Sequence, residues 1–255
     1  MDLALTDARI IVTAGAGGIG RAIVDGFLAE GARVATCDVD EAALGALPAG
    51  VFARRVDVGD PAALRRFVEE AVAALGGLDC LVNNAGIAGP TAPVEAVALD
   101  DWNATLAICL TSQFVASAAA VPALRASSNP SIVNLSSLAG RLGFRLRTPY
   151  AAAKWGVIGL TRSLAIELGG DGIRVNAVLP GIVAGERQRR VMAARAEARG
   201  ATIEQIEAEA FSHTAIREYV TPQQIADQIL YLASPRGKTI SGQAISVCGG
   251  TERLG

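Results

Sequence analysis

One histidine, His213, stands in a chain of 255 residues, and that scarcity removes whole classes of chemistry. A multi-histidine metal centre is excluded, and a Ser-His-Asp triad has a single candidate base. The cysteines Cys37, Cys80, Cys109 and Cys248 lie far apart with no C-x-x-C pair, which argues against zinc and dithiol redox sites. They read as small hydrophobes with reduced thiols, most of them buried. An excess of either charge is also missing: 23 basic against 25 acidic residues leaves −2, with no basic field for nucleic acid. No uninterrupted apolar run approaches the ~18 residues of a membrane span. The start, Met1-Asp2-Leu3-Ala4, lacks the basic and apolar parts of a signal peptide. A cytoplasmic protein is expected, with neither membrane nor nucleic acid as partner. Lysine is nearly absent: Lys154 and Lys238 stand beside 21 arginines, so each lysine merits inspection.

What is present is apolar and regular. Hydrophobic residues make up 51% of the chain, enough to fill a large core. Short β-branched runs alternate with amphipathic stretches. Strands are expected at Arg9–Ala14, Arg33–Asp38, Val51–Val58, Asp79–Asn83, Ser131–Ser136, Arg174–Leu179 and Ala244–Val247. Between them fall helices, one opened by Asp60-Pro61, a long one over about Leu99–Leu124, one from about Pro149 to Leu168, and one opened by Thr221-Pro222. This alternation predicts a doubly wound α/β fold of the Rossmann type, a parallel sheet with helices on both faces in a single domain. Residues 185–219, mostly helical and charged, interrupt the pattern before the last helix. Loops after strand ends border the ligand crevice in such sheets, so this segment is either a substrate lid or a solvated helical pair.

Directly after the first strand comes Thr13-Ala14-Gly15-Ala16-Gly17-Gly18-Ile19-Gly20. Gly15, Gly17 and Gly20 fit G-x-G-x-x-G, which lets a backbone turn tightly and approach a pyrophosphate at a helix N-terminus. Asp38 ends the second strand, 18 residues beyond Gly20. A carboxylate there accepts from adenosine ribose hydroxyls and repels a 2′-phosphate, so NAD is expected over NADP. As an alternative Asp38 caps a helix, a role Asp40 fills equally well.

Tyr150-Ala151-Ala152-Ala153-Lys154 is the most informative stretch. At i and i+4 on a helix, phenol and ammonium share one face. With three tyrosines and two lysines in the chain, a chance Y-x-x-x-K has a frequency of roughly 2%. A cation one turn away favours the phenolate and makes the tyrosine a base for a hydroxyl proton.

Together these motifs resemble the short-chain dehydrogenase/reductase family over essentially the whole chain. Thr13 to Gly20, with Gly18 and Ile19, is similar to the family's T-G-x-x-x-G-x-G loop, with Ala14 in the first glycine's place. Asp57-Val58 resembles its adenine-contacting pair, and Asn83-Asn84-Ala85-Gly86 its N-N-A-G. Ser137, 13 residues before Tyr150, has the spacing of its substrate-polarising serine. Asn176 to Gly181 resembles the segment leading to the nicotinamide, which would place Pro180, Gly181, Ile182 and Val183 beside it. The resemblance implies that Tyr150 is the general acid/base and that Lys154 lowers its pKa and binds the nicotinamide ribose. It further implies that Ser137 bonds the reacting oxygen and that the protein is a homotetramer. Three residues depart from the pattern. Cys109 stands where an asparagine usually holds a relay water, Gly185 replaces a threonine, and Cys248 replaces an aspartate.

The expected activity is NAD-dependent interconversion of a secondary alcohol and a ketone on a small polar or anionic substrate. Arg141, Arg145, Arg147, Arg187, Arg189 and Arg190, near the catalytic residues in sequence, suit an anion or else a solvated or subunit-interface face. The rival is a catalytically weak NAD-binding sensor or regulator, favoured by Cys109. Hydrolysis by Ser137 with His213 fails for want of a nucleophile elbow.

Overall fold

The structure is a computed structural model and describes residues 2–254. Seven strands form one parallel sheet: β1 (Arg9–Thr13), β2 (Arg33–Asp38), β3 (Phe52–Arg55), β4 (Cys80–Asn83), β5 (Ser131–Leu135), β6 (Arg174–Pro180) and β7 (Ala244–Val247). Their order is β3-β2-β1-β4-β5-β6-β7. The order reverses between β1 and β4, which opens a crevice over the carboxyl ends of those strands.

Alternation along β1 divides the core, because successive side chains point to opposite faces. Ile10 and Val12 pack with Ile23 and Phe27 of α1 (Gly18–Ala29) and with Ile225 and Ile229 of α9 (Pro222–Ala233). Ile11 faces the other way, toward Leu64 and Phe67 of α3 (Pro61–Leu75) and Ala116, Ala120 and Leu124 of α5 (Ser112–Leu124). The expected caps are present. Asp60 accepts from the Ala62 and Ala63 amides, and Thr221 forms a capping box with Gln224.

Three details differ from the sequence reading. The expected strand Val51–Val58 is four residues long, because β3 is the sheet edge and its ladder ends with β2 at Asp38 opposite Arg55. Asp40 caps a short helix, α2 (Glu41–Gly45), which leaves the Asp38 side chain for other work. The long helix is α4 (Leu99–Leu106) and α5 joined by a π turn at Ala107–Thr111 that contains Cys109. Leu99–Leu124 as a whole is long and apolar enough to cross a membrane by length and composition. Its packing is that of a core helix, with Val115, Ala116, Ala120 and Leu124 buried against the sheet layer.

Residues 185–219 hold two helices, α7 (Glu186–Arg199) and α8 (Ile203–Ser212). Met192, Ala196, Ile206 and Ala210 form a small core with Ile182, just past β6. A bridge between Val183 and Val220 closes the base of the excursion. The helical pair is thereby seated at the carboxyl end of the sheet.

Candidate active site

The loop after β1 is held rigidly, and its glycines do different work. A methyl at Gly15 would lie 2.2 Å from Thr36 Oγ1, and one at Gly20 would lie 2.0 Å from the Ala14 carbonyl oxygen. These two glycines are therefore packing requirements. Gly18 has a left-handed backbone with φ +53, while a methyl at Gly17 would meet nothing within 4 Å. Gly17 lies on the wall of the cavity at the start of α1, where unpaired amides favour an anion. Ala14 also has φ +53, a conformation an alanine seldom adopts. Its carbonyl there accepts from Asn84 Nδ2 at 2.8 Å. The same Nδ2 reaches the Thr13 carbonyl at 3.0 Å, and Thr13 Oγ1 accepts from the Asn84 and Ala85 amides.

Asp38 stands across from this loop. One carboxylate oxygen accepts from the Ala16 amide at 3.1 Å and the other from the Val39 amide at 2.8 Å. The carboxylate is thus fixed beside the glycine turn and borders the cavity. The residues that would cradle a dinucleotide pyrophosphate and an adenosine ribose are in position for one, and the open side of Gly17 leaves room for it.

β5 and α6 (Thr148–Leu168) bring the catalytic candidates together. Ser137 follows β5 and its Oγ accepts from the Ala139 amide at 3.2 Å. Lys154 is 3% exposed, and its Nζ donates to the Leu135 carbonyl at 2.8 Å, fixing the ammonium 5.7 Å from the Tyr150 ring centre. Ser136 Oγ donates to the Lys154 carbonyl at 2.8 Å, locking the segment that carries Ser137 onto α6. Burial raises the Tyr150 pKa, but Lys154, Arg187 and a hydrogen bond from Ser137 outweigh it and hold the phenol below its ordinary value. A depressed phenol beside a serine in a cleft is a proton acceptor poised for a hydroxyl.

A cavity of about 520 Å³ joins the two regions. Gly17, Gly18, Ile19, Gly20, Asp38, Gly86, Ser137, Tyr150, Lys154, Pro180, Gly181, Ile182 and Val183 all line it. Gly15, Asp57, Val58, Asn83 and Ala85 do not border it. Asn83 is buried in the core instead, its Nδ2 donating to Asn134 Oδ1 at 2.8 Å and Ser117 Oγ at 3.1 Å, so it ties β4 to β5 and α5. Asp57 is exposed and bonds the Gly59 amide, while Val58 packs in the core. Gly181 is confined for a local reason, since a methyl would come 2.7 Å from Cys248 Cα.

Cys109 lies buried in the π turn. Its Sγ donates to the Ile87 carbonyl and accepts from the Ile87 amide, both at 3.4 Å, so one thiol serves as donor and acceptor. The Cys109 carbonyl accepts from Gln113 Nε2 at 3.3 Å, and Gln113 Nε2 also reaches Leu135 O, which Lys154 bonds too. The π turn, the cysteine and the lysine thus form one connected unit.

The cavity's other wall was only partly foreseen. Arg147, Arg187 and Arg190 border it, whereas Arg141 is exposed and bonds Ala244 O and Ser246 Oγ near β7. Arg145 is exposed off the cavity, and Arg189 lies 4.0 Å from Glu186. Phe144, Met192, Arg195 and the C-terminal residues Thr251 and Leu254 also line it. Leu254 arrives by a bridge to Phe144, a pairing with no local signal in the sequence.

A family model described as enoyl-(acyl carrier protein) reductase matches residues 14–252. The chain is 36% identical over 258 residues to a probable galactose dehydrogenase of Rhizobium meliloti, covering 96% of this chain and 95% of that one. It is 34% identical over 256 residues to 2-(S)-hydroxypropyl-CoM dehydrogenase 3 of Xanthobacter autotrophicus, covering 96% and 97%. The crystal structure of levodione reductase superposes with a TM-score of 0.89 at 28% identity, covering 96% of this chain and 97% of that one.

Proposed function

The chain belongs to the short-chain dehydrogenase/reductase family, and from that premise we propose that it interconverts a secondary alcohol and a ketone with NAD. It is an oxidoreductase acting on CH–OH groups, and its family works with nicotinamide cofactors. The choice of NAD, the small polar or anionic substrate, the lid role of α7 and α8 and a cytoplasmic homotetramer are parts of the proposal. Supporting the last, Phe114 and Trp155 on α5 and α6 are more than half exposed, an apolar surface for subunit packing.

The observation that carries the reading is the convergence of Ser137, Tyr150 and Lys154 at one end of a cavity whose other end is the glycine turn and Asp38. When bound, the nicotinamide supplies the hydride acceptor for oxidation or the donor for reduction. The protein's share is proton handling and placement. Tyr150, with its pKa lowered, takes the carbinol proton in oxidation and returns it to the carbonyl oxygen in reduction. Ser137 hydrogen-bonds that same oxygen and sets its distance from the phenol. Lys154, pinned by Leu135 O, keeps a positive charge beside the phenolate. The paired bonds of Cys109 to Ile87 support a working enzyme over a catalytically weak sensor, because the unusual residue is built into the site.

The test is a cofactor-reduction and cofactor-oxidation screen over sugars, polyols, hydroxy acids and their ketones, repeated with Tyr150→Phe. Turnover is expected for the wild type, with kcat lower by about 1,000-fold in the variant and NAD affinity nearly unchanged. Full activity of Tyr150→Phe on the best substrate would sink the mechanism.

A further inference from the structure

Beyond Tyr150, the cavity wall holds a guanidinium that proton handling does not use. Arg147 is 2% exposed and borders the cavity. Its Nη2 donates to the Ala88 carbonyl. Its Nε and Nη1 are buried and, among the described residues, have no hydrogen-bond partner. No Asp or Glu side chain of the described residues pairs with it. The guanidinium lies 5.1 Å from the centre of the Tyr150 ring and 5.2 Å from that of Phe144. Arg187 approaches the same tyrosine at 5.9 Å, and Arg195 the same phenylalanine at 5.6 Å.

Burying a cation with N–H groups left over is costly unless a partner answers them. Here the neighbours add to the demand. Burial first, then Arg187 and Arg195, lower the Arg147 pKa, with Tyr150 opposing them. The chemistry that satisfies such a group is an oxyanion, because charge-assisted N–H···O⁻ bonds are among the strongest available to a guanidinium. The distance to the tyrosine puts that anion and the reacting carbinol within one small molecule.

We propose that Arg147 anchors an anionic substrate: the alcohol or ketone served by Tyr150 carries a carboxylate or sulfonate a few bonds from the carbinol carbon, held by Arg147 against Phe144. This rests on the oxidoreductase reading and narrows its substrate to acids. Arg147 touches Phe144, Tyr150 and Ala88 and none of the glycine turn, which separates its anion from a cofactor phosphate. A purely structural arginine, pinning Ala88 alone, is the competing account.

The experiment uses the full chain with NADH and three ketones: acetoacetate, 2-oxopropane sulfonate and the neutral methyl acetoacetate. Wild type is expected to favour the anions in kcat/KM by roughly 100-fold, the worth of charge-assisted hydrogen bonds. Arg147→Met should bring the ratio to within about threefold by lowering the anion values alone, and Arg147→Lys should restore part of it. The NADH dissociation constant should stay the same. Equal use of ester and acid by the wild type overturns the proposal, as does an equal loss on both classes in Arg147→Met. A matching loss of NADH affinity reassigns the anion to the cofactor and overturns it too. If no ketone is turned over, the reading of this site as an NADH-dependent reductase of such ketones is what fails. Calorimetric titration of acetoacetate and propane-1-sulfonate then decides the anchor separately: saturable binding abolished in Arg147→Met supports it, and no binding to wild type overturns it.

Discussion

On the wall built from β1, β2 and β4, short polar side chains tie down the backbone, whereas the wall of α7, α8 and residues 251–254 presents long side chains. The first has Thr36 bonding Gly15, Asn84 bonding Thr13 and Ala14, and Asp38 bonding Ala16 and Val39. The second has Arg187, Arg190 and Arg195 facing the cavity from one helix. A wall pinned in this way has its shape fixed by the sheet it belongs to. A wall of side chains can be rewritten without disturbing the sheet.

The same contrast governs what was legible in the sequence. The glycine turn, Asp38 and the Tyr150/Lys154 pair are local patterns at strand ends or one helical turn apart, so spacing alone exposes them. Asn83 and Asn84 show the limit of that method, because adjacent residues at the end of a strand point to opposite faces. One goes to the core network with Asn134, the other to the glycine turn. Arg141, Arg145 and Arg147 could not be sorted either, since their loop follows no period; only Arg147 turns inward. The C-terminal wall depends on residues 110 positions apart, Phe144 and Leu254. No window of sequence holds both. The π turn was invisible for a different reason, since it changes hydrogen-bond register without changing the hydrophobic pattern.

The sharpest way to break the comparison is to change the charge of Asp38 on the first wall. Like charges ~4 Å apart near a surface repel by about 4 kcal/mol, and half of that after hydration still corresponds to about 30-fold in affinity. NAD should therefore bind at least that much more tightly than NADP. Asp38→Asn removes the charge but keeps a single acceptor oxygen, so one of the Ala16 and Val39 amides loses its partner, while the NAD/NADP ratio should fall to within about threefold. Fluorescence titration with both cofactors measures it, and equal affinities in the wild type refute the assignment.

A second probe crosses from one wall to the other. Arg187, on the side-chain wall, donates to the Gly86 carbonyl at 3.2 Å and helps lower the Tyr150 pKa. Oxidation needs the phenol deprotonated, so activity should rise with pH through the lowered tyrosine pKa. Removing a cation favours the neutral phenol, and Arg187→Ala should move that limb to higher pH. A profile of kcat/KM against pH for both proteins is the measurement. An unmoved limb would show that Lys154 and Ser137 set the tyrosine without Arg187.

A smaller change is expected at Cys109, where the pinned network meets the catalytic end. The thiol already bonds both polar groups of Ile87, so Cys109→Asn replaces two long contacts by two ordinary ones. We expect kcat to rise by about threefold or less at unchanged KM, the small end of what a proton-handling contact contributes. A large loss would mean that the π turn is fitted to sulfur.

The smallest effect concerns stability, and it tests whether the pinned wall stores strain. Ala14 is held at φ +53 by Asn84 Nδ2 on its carbonyl, although its methyl group disfavours that conformation. An L-residue there costs about 1–2 kcal/mol, which glycine avoids. Glycine gives back part of the gain because it widens the unfolded ensemble, by about 0.4–1 kcal/mol. Ala14→Gly should thus stabilise the protein by up to about 1 kcal/mol, seen as a rise in Tm of roughly 2–4 °C. The neighbouring Gly18 offers the opposite substitution with the same φ: Gly18→Ala should lower Tm by a similar amount, since nothing within 4 Å would clash with its methyl. A matched pair of shifts with opposite signs would isolate backbone strain from packing. If Ala14→Gly instead lowers Tm, the alanine methyl contributes more by packing near the core below α3 than its backbone costs, and the loop is relaxed as it stands.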